Sequence, residues 1–336
     1  MSRVLVVGPS WVGDMVMAQS LFKVLRARRP GVTIDVLAPG WSLPLLERMP
    51  EVARGLTMAL GHGELGLLRR YRLGRSLRAA GYEQAILLPN SLKSALAPFW
   101  ARIPRRTGWL GEQRYGLLND IRRLDPKRLT MTVQRFVALA GERDDEPPAE
   151  IPPPALRVDA EAVARARARH GLDADGPLLA LCPGAEYGPA KRWPEAHYAE
   201  LARAYLGRGW RVAAFGSKKD QAVGAAIAAA APGCLDLCGR TTLAEAIDLL
   251  SIASAVVSND SGLMHVAAAL QRPLVALYGS SDPAFTPPLN QAHRIATLGL
   301  PCSPCFQREC PFGHLDCLAK LQPARVEALL EELLAA

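Results

Sequence analysis

Short apolar runs bounded by turn residues recur along the chain. They are Arg3–Val7, Thr33–Ala38 and Gln84–Leu88 in the first half, and Leu178–Cys182, Arg211–Phe215, Ala255–Val257 and Leu274–Tyr278 in the second. Each is short for a helix and alternates with stretches of helical spacing, so each reads as a buried strand of a parallel sheet covered by helices on both faces. After the first run, Met15, Ala18, Phe22 and Leu25 fall on one helical face with Lys23, Arg26 and Arg28 elsewhere, and Pro30-Gly31 stops the helix. The pattern from Pro323 to Leu334 opens on a proline suited to a first turn and predicts a closing helix. Between the halves, Asp144 to Pro154 carries too much charge and proline for a helix or a central strand, and reads as a linker. The expectation is an α/β protein of two Rossmann-like domains, 1–150 and 151–322, with parallel sheets facing across a cleft, closed by a helix over 323–336.

Composition narrows the setting. At 336 residues the chain is long enough for two ordinary domains. The longest apolar stretch, Ile252 to Leu270, is broken by Asn259-Asp260-Ser261, so no membrane-spanning helix is expected. No secretory signal is read at the N-terminus, so the seven cysteines are expected as reduced thiols in the cytoplasm. Charge is uneven. Residues 1–155 hold 23 Lys and Arg against 14 Asp and Glu, whereas residues 156–336 hold 17 against 18. A basic first half implies an anionic partner: a membrane surface, a nucleic acid or a phosphorylated substrate.

Two strand-to-helix turns carry the candidate chemistry. Ser258-Asn259-Asp260-Ser261-Gly262-Leu263-Met264-His265 ends a buried strand in small polar residues and opens a helix, leaving backbone N–H groups at the positive end of a helix dipole. That is a place for a phosphate or diphosphate. At the N-terminus, Gly8-Pro9-Ser10-Trp11-Val12-Gly13-Asp14 has the same form, but the Asp14 carboxylate stands where an anion would bind. One turn receives an anion and the other carries one, as a donor site and a base would. No Gly-x-Gly-x-x-Gly follows the first strand and no Gly-Lys-Ser/Thr loop occurs, which disfavours dinucleotide oxidoreduction and P-loop ATP hydrolysis. No Asp-x-Asp follows a strand, so a metal-bridged sugar-nucleotide site is not indicated either.

Four segments together resemble the heptosyltransferases of glycosyltransferase family 9. They are Gly8 to Met15, Leu88-Pro89-Asn90-Ser91-Leu92-Lys93-Ser94-Ala95, Pro183 to Pro194 (with Lys191-Arg192-Trp193-Pro194 at its end) and Asn259 to His265. The resemblance runs from residue 1 to about residue 290 and through the closing helix. It implies the two-lobed GT-B fold and transfer of L-glycero-D-manno-heptose from ADP-heptose onto the first heptose of the lipopolysaccharide inner core, with inversion. Rivals are a relative with another acceptor, a nucleotide-sugar epimerase on the same fold, and a zinc-stapled interaction protein.

Roles follow residue by residue. Inverting transfer needs one carboxylate to take the acceptor's proton, and Asp14 is expected to be that base; read from the chain alone, Asp14 could merely favour its helix N-terminus. Lys191 is expected to meet the donor's diphosphate, with Arg192 sharing the role or lying at the surface, and Trp193 and Pro194 shaping the loop. Ser261, Gly262 and Leu263 offer N–H groups to the diphosphate, and Asp260 holds the loop or a sugar hydroxyl. His265 either faces the phosphate or is structural. Asp220, after Gly216-Ser217-Lys218-Lys219, is a candidate for the ribose, and Thr241, Thr242 and Leu243 for the border of the adenine. Ser10, Trp11, Asn90 and Lys93 are expected on the acceptor side, where Lys93 would meet an acidic sugar or phosphate of a heptosylated Kdo-lipid A.

Arg69, Arg70, Arg72, Arg75 and Arg78, interleaved with Leu67, Leu68, Leu73 and Leu77, either lie against anionic headgroups or form a solvated surface helix weakened by Gly66 and Gly74. Nucleic acid is not expected, because no aromatic platform accompanies the arginines. Cys302, Cys305, Cys310 and Cys317 have the count for a tetrahedral zinc site, but only the first pair has the usual short spacing, and the implied chemistry requires no metal. Neither a metal nor a cofactor is expected. The chain is expected to act as a monomer, peripheral at the inner face of the inner membrane of a Gram-negative bacterium.

Overall fold

In the computed structural model, strands pair into two six-stranded sheets. The first holds β1 (Arg3–Val7), β2 (Thr33–Ala38), β3 (Val52–Thr57), β4 (Gln84–Leu87), β5 (Arg105–Trp109) and β6 (Asp120–Arg122). The second holds β7 (Leu178–Cys182), β8 (Arg211–Ala214), β9 (Leu235–Asp236), β10 (Ala255–Asn259), β11 (Leu274–Leu277) and β12 (His293–Ala296). The structure describes residues 2–60, 64–143 and 145–335; Asp144 of the expected linker and the end residues 1 and 336 of the expected domains lie outside the described residues. The chain divides into two compact units, Met1–Pro154 and Ala155–Ala336.

Both sheets share one topology. The first runs β3-β2-β1-β4-β5-β6 and the second β12-β11-β10-β7-β8-β9. Counted from its own first strand, each sheet has the order 3-2-1-4-5-6, and the ladders are parallel. This is the doubly wound Rossmann arrangement, in which ligands collect beyond the carboxyl ends of the two strands where the winding reverses. Those strands are β1 and β4 in one unit, and β7 and β10 in the other.

The seven expected strands form, within a residue or two at their ends, because they are buried on both faces and so are largely apolar. Buried polar residues tie these strands to the others. Asp35, fully buried on β2, takes Arg54 from β3, Arg3 from β1 and the Tyr82 hydroxyl. Burial alone pushes its carboxyl up, but the hydrogen bonds from Arg54 and Tyr82 and the charges of Arg54 and Arg3 outweigh that and hold it below the usual range. Asp120 on β6 is held likewise by Arg105 and Arg122.

The helix Val12–Arg28 is buried on nearly every side, not along one stripe: Met15, Ala18, Phe22 and Leu25 are joined by Met17, Gln19, Ser20 and Leu21. Gln19 donates to Glu51, while Ser20 and Lys23 donate to the carbonyls of Pro152 and Pro153. Its end is set by Gly31, whose φ of 80° lies in the left-handed region. In the second unit, the helix Pro323–Ala335 places Val326, Leu330 and Leu333 in the same core as Trp193, Tyr198 and Tyr205.

The arginine-rich segment forms a helix over Leu67–Leu77, and Gly74 does not weaken it without return. The helix Leu92–Trp100 passes so close that a Cβ at Gly74 would stand 2.6 Å from the Ala97 carbonyl oxygen and 2.8 Å from Trp100 Cβ. Gly74→Ala therefore sets a helix-propensity gain of about 1 kcal/mol against overpacking of about 1–3 kcal/mol. We expect a net loss of stability, read as a lower urea midpoint with unchanged slope; a higher midpoint would show the helices part easily.

Candidate active-site residues at the two reversal points

In the second unit, β10 ends at Asn259, and its carboxamide organises the neighbouring loop. The Oδ1 atom accepts from the Trp193 backbone N–H (3.1 Å) and the Tyr198 hydroxyl (3.0 Å), while Nδ2 donates to the Pro183 carbonyl (2.6 Å). Trp193 is buried and its indole N–H reaches the Leu321 carbonyl, which fixes the loop after β7 at its far end. Pro194 then precedes the helix Glu195–Gly207. Loop shaping is thus what Trp193 and Pro194 do.

So held, the loop presents Lys191 to Asp260 across the reversal point, Nζ to Oδ2 at 2.5 Å. The Asp260 carboxylate is almost fully buried, and the ammonium also lies 5.0 Å from the centre of the Tyr187 ring. One of the three ammonium donors goes to Asp260. The helix Gly262–Ala269 begins two residues after Asp260; its N-cap, Ser261, gives no side-chain cap, and the Ser261 hydroxyl lies 3.3 Å from that of Ser258. First-turn N–H groups of a helix without such a cap suit an anion. Leu263 is in that first turn.

His265 is buried one turn on, and burial, with Asp260 opposing and Lys191 assisting, pulls its pKa down to about 4. It is a neutral imidazole at neutral pH, so it can share hydrogen bonds with a ligand but offers no charge to one.

Asp220 and Thr242 stand elsewhere on the same unit. The Asp220 Oδ2 accepts from the Ser217 N–H and hydroxyl (2.9 and 2.7 Å), Oδ1 lies 3.6 Å from Arg192, and the carboxylate packs under Gly184. It closes its own turn at the end of β8. Thr242 caps the helix Leu243–Leu250 in a reciprocal box with Glu245.

In the first unit, the loops after β1 and β4 carry the expected residues. Ser10 and Trp11 are exposed, and Asp14 is half-buried in the first turn of its helix. Asn90 is exposed, and Lys93 lies in the first turn of the helix Leu92–Trp100. No motif in the chain points to the residue that holds this loop. Arg114 is buried and donates to the carbonyls of Pro89 (2.7 Å) and Trp109 (2.8 Å), to the Ser94 hydroxyl (3.0 Å) and to Asn90 Oδ1 (3.3 Å). Burial pulls its pKa down to about 10, which still leaves it charged. The role of Asn259 was also missed, although its motif was legible.

Two parallel six-stranded Rossmann sheets in one chain, each with polar chemistry at its reversal point, make up the GT-B class of fold. Residues 70–316 match the family pattern described as glycosyltransferase family 9 (heptosyltransferase). The chain is 49% identical to lipopolysaccharide heptosyltransferase 2 of Salmonella typhimurium strain LT2, over 98% of its own length and 97% of the relative's. It is 51% identical to lipooligosaccharide heptosyltransferase 2 of Haemophilus influenzae, over 88% of each chain. The solved structure of E. coli ADP-heptose lps heptosyltransferase II superposes with a TM-score of 0.90 at 44% identity, covering 100% of this chain and 99% of that one. The chain belongs to glycosyltransferase family 9.

A neutral buried histidine makes stability depend on pH. With a folded pKa near 4 and an ordinary value of 6.5, the unfolded chain binds the proton first. His265 therefore costs no stability above pH 6.5 and destabilises the fold as pH falls from there towards 4. In denaturation at stepped pH, His265→Gln should flatten that part of the profile by on the order of 1 kcal/mol per pH unit. An unchanged profile would mean the imidazole is charged in the fold.

Proposed function

We propose that this protein transfers L-glycero-D-manno-heptose from ADP-heptose to the first heptose of the lipopolysaccharide inner core, inverting the anomeric carbon. The observation that carries this reading is the near-full-length likeness to heptosyltransferases 2, with the quoted motifs falling at the reversal points of both sheets. An epimerase or a binding module would not need Asp14 and Lys191 in those places.

In this reading Met1–Pro154 takes the acceptor and Ala155–Ala336 the donor. Asp14 accepts the proton of the attacking hydroxyl while that oxygen bonds to the anomeric carbon and the bond to ADP breaks. A single carboxylate suffices, since no covalent sugar-enzyme intermediate forms. The helix N-terminus lowers the basicity of Asp14, which is tolerable when proton transfer comes late and the hydroxyl is already acidic. Lys191 and the N–H groups from Ser261, Gly262 and Leu263 stabilise the charge growing on ADP without a metal. Asp260 orients Lys191, and neutral His265 backs the same turn. Asp220 and Thr242 border the nucleoside, while Ser10, Trp11, Asn90 and Lys93 meet the heptosylated Kdo-lipid A.

Mass spectrometry after incubation with ADP-heptose should show gain on core lipid ending at the first heptose, and none on lipid ending at Kdo or the second heptose. Asp14→Asn should abolish that gain while ADP binding stays near wild type. Gain on another acceptor would assign the chain to a different step, and wild-type turnover by the variant would remove Asp14 as the base.

The same reading places the monomeric protein at the cytoplasmic face of a Gram-negative inner membrane. No described helix is long and apolar enough to cross a membrane. From residue 65 to 111 the chain holds nine Lys and Arg and one acid, Glu83. On the Leu67–Leu77 helix and its neighbour, Leu67, Leu68, Tyr71 and Phe99 are exposed beside Arg69, Arg72, Arg75 and Arg78. Such a face suits anionic headgroups. Arg72→Glu with Arg75→Glu should cut sedimentation with anionic vesicles at low salt; equal sedimentation by both proteins would place the contact elsewhere.

A further inference from the structure

We infer that Cys302, Cys305, Cys310 and Cys317 bind one Zn²⁺ ion, which fixes the loop behind the Tyr187–Lys191 turn. Residues 297–315 form neither helix nor strand. An irregular run of that length inside a compact unit needs something to hold it, and beyond Leu298 apolar packing supplies little. From Pro301 to His314 every residue is exposed except Cys302, Ser303, Cys305 and Cys310; Phe306 makes only an edge contact with Phe285, and Phe312 stacks on His314. The loop thus turns inward its cysteines and one serine. Cys317 joins them from the short helix Asp316–Ala319 that follows.

All four cysteines line one small cavity of about 10 Å³, together with Ala190 and Ser280. That is room for a single atom-sized guest. The turn that carries Cys310 is closed by the Gly313 N–H donating to the Cys310 carbonyl (3.1 Å). Ser280 adds an independent sign. It is almost wholly buried, lines the same cavity, and its hydroxyl finds no hydrogen-bond partner among the described residues.

As the side chains stand, no three His, Cys, Asp or Glu among the described residues are grouped to hold a metal. Rotation between staggered χ1 wells is the movement an ion would impose on the sulfurs. Four thiolates around one ion make the closed tetrahedral site of structural zinc, with no open position for catalysis. On binding, each thiol releases its proton to solvent, and the resulting complex carries two negative charges. The Ser280 hydroxyl, which lines the same cavity, is placed to donate to one of the sulfurs. His314 is not assigned as a ligand, because its Nδ1 already accepts from the Asp316 N–H.

The loop bears directly on the donor turn. The Phe306 carbonyl accepts from the Tyr187 hydroxyl (2.6 Å), and the Arg308 carbonyl accepts from the Ala190 N–H (3.0 Å). Gly188 lies against the Arg308 carbonyl, with no space for a Cβ. Tyr187 in turn lies under Lys191. An ion that fixes residues 302–317 therefore fixes the backbone that seats this lysine.

The test uses the full chain purified under reducing conditions and does not depend on heptose transfer. Elemental analysis should find one zinc per chain in the wild type and in His314→Ala, and almost none in Cys310→Ser or Cys317→Ser. Because those variants can fail to fold, the wild type is also stripped with a chelator and titrated with Co²⁺. An intense sulfur-to-cobalt charge-transfer band saturating at one equivalent is expected. Stripping should weaken ADP binding in calorimetry, and Zn²⁺ should restore it. Wild-type protein with only trace metal and no charge-transfer band would overturn the site, and ADP affinity indifferent to stripping would overturn its coupling to the donor turn.

Discussion

The ion pair between Lys191 and Asp260 sets the terms for the rest of the second unit. A carboxylate as buried as that of Asp260 is tolerable only with a partner, and removing one member of such a pair costs about 3–5 kcal/mol. Lys191 therefore has to be delivered to one position, and several features exist to deliver it. Asn259 ties the loop to the sheet, Trp193 anchors its exit in the core, and Tyr187 lies beneath the ammonium. The same carboxylate also orients Lys191, leaving its two remaining donors aimed from one position. If the proposed donor role holds, a diphosphate would meet an ammonium already in place, with little rearrangement to make.

The two sheets have the same strand order, yet they put opposite chemistry at equivalent points. Both helices lack a side-chain cap, but one carries an acid, Asp14, in its first turn, while the other faces a lysine held by Asp260. A shared scaffold explains the position of each site but not its content, which comes from a few residues in the two loops. The charge imbalance follows the same division: the excess of arginine lies in the unit assigned to the acceptor, while the other unit is near neutral. A strongly basic donor unit would hold nucleotides indiscriminately, whereas one seated lysine favours a defined geometry.

What could be read from the chain was local. β1, β2, β4, β7, β8, β10 and β11 announce themselves because burial on both faces leaves them mostly apolar. β3 and β5 carry Arg54 and Arg105, whose carboxylate partners Asp35 and Asp120 lie on other strands, so no local pattern marks them. The candidate sites divide in the same way. Turns that join a strand to a helix around small polar residues can be recognised in place. Arg114 and Asn259 act largely through contacts with residues 20 to 76 positions away, and neither has a neighbour that betrays it. The cysteine spacing was visible, but not that those thiols face inward from a loop otherwise turned to solvent.

Arg114 has a consequence for how a ligand would meet the loop after β4. Its guanidinium already grips the carbonyls and side chains around Asn90, so the loop's entropy was surrendered during folding. Under the proposed acceptor role, a sugar arriving there would dock on a finished surface, with little of its binding energy spent on ordering protein. Selectivity would then rest on shape, as between a key and a cut lock, and a wrong sugar would be refused at first touch instead of being accommodated.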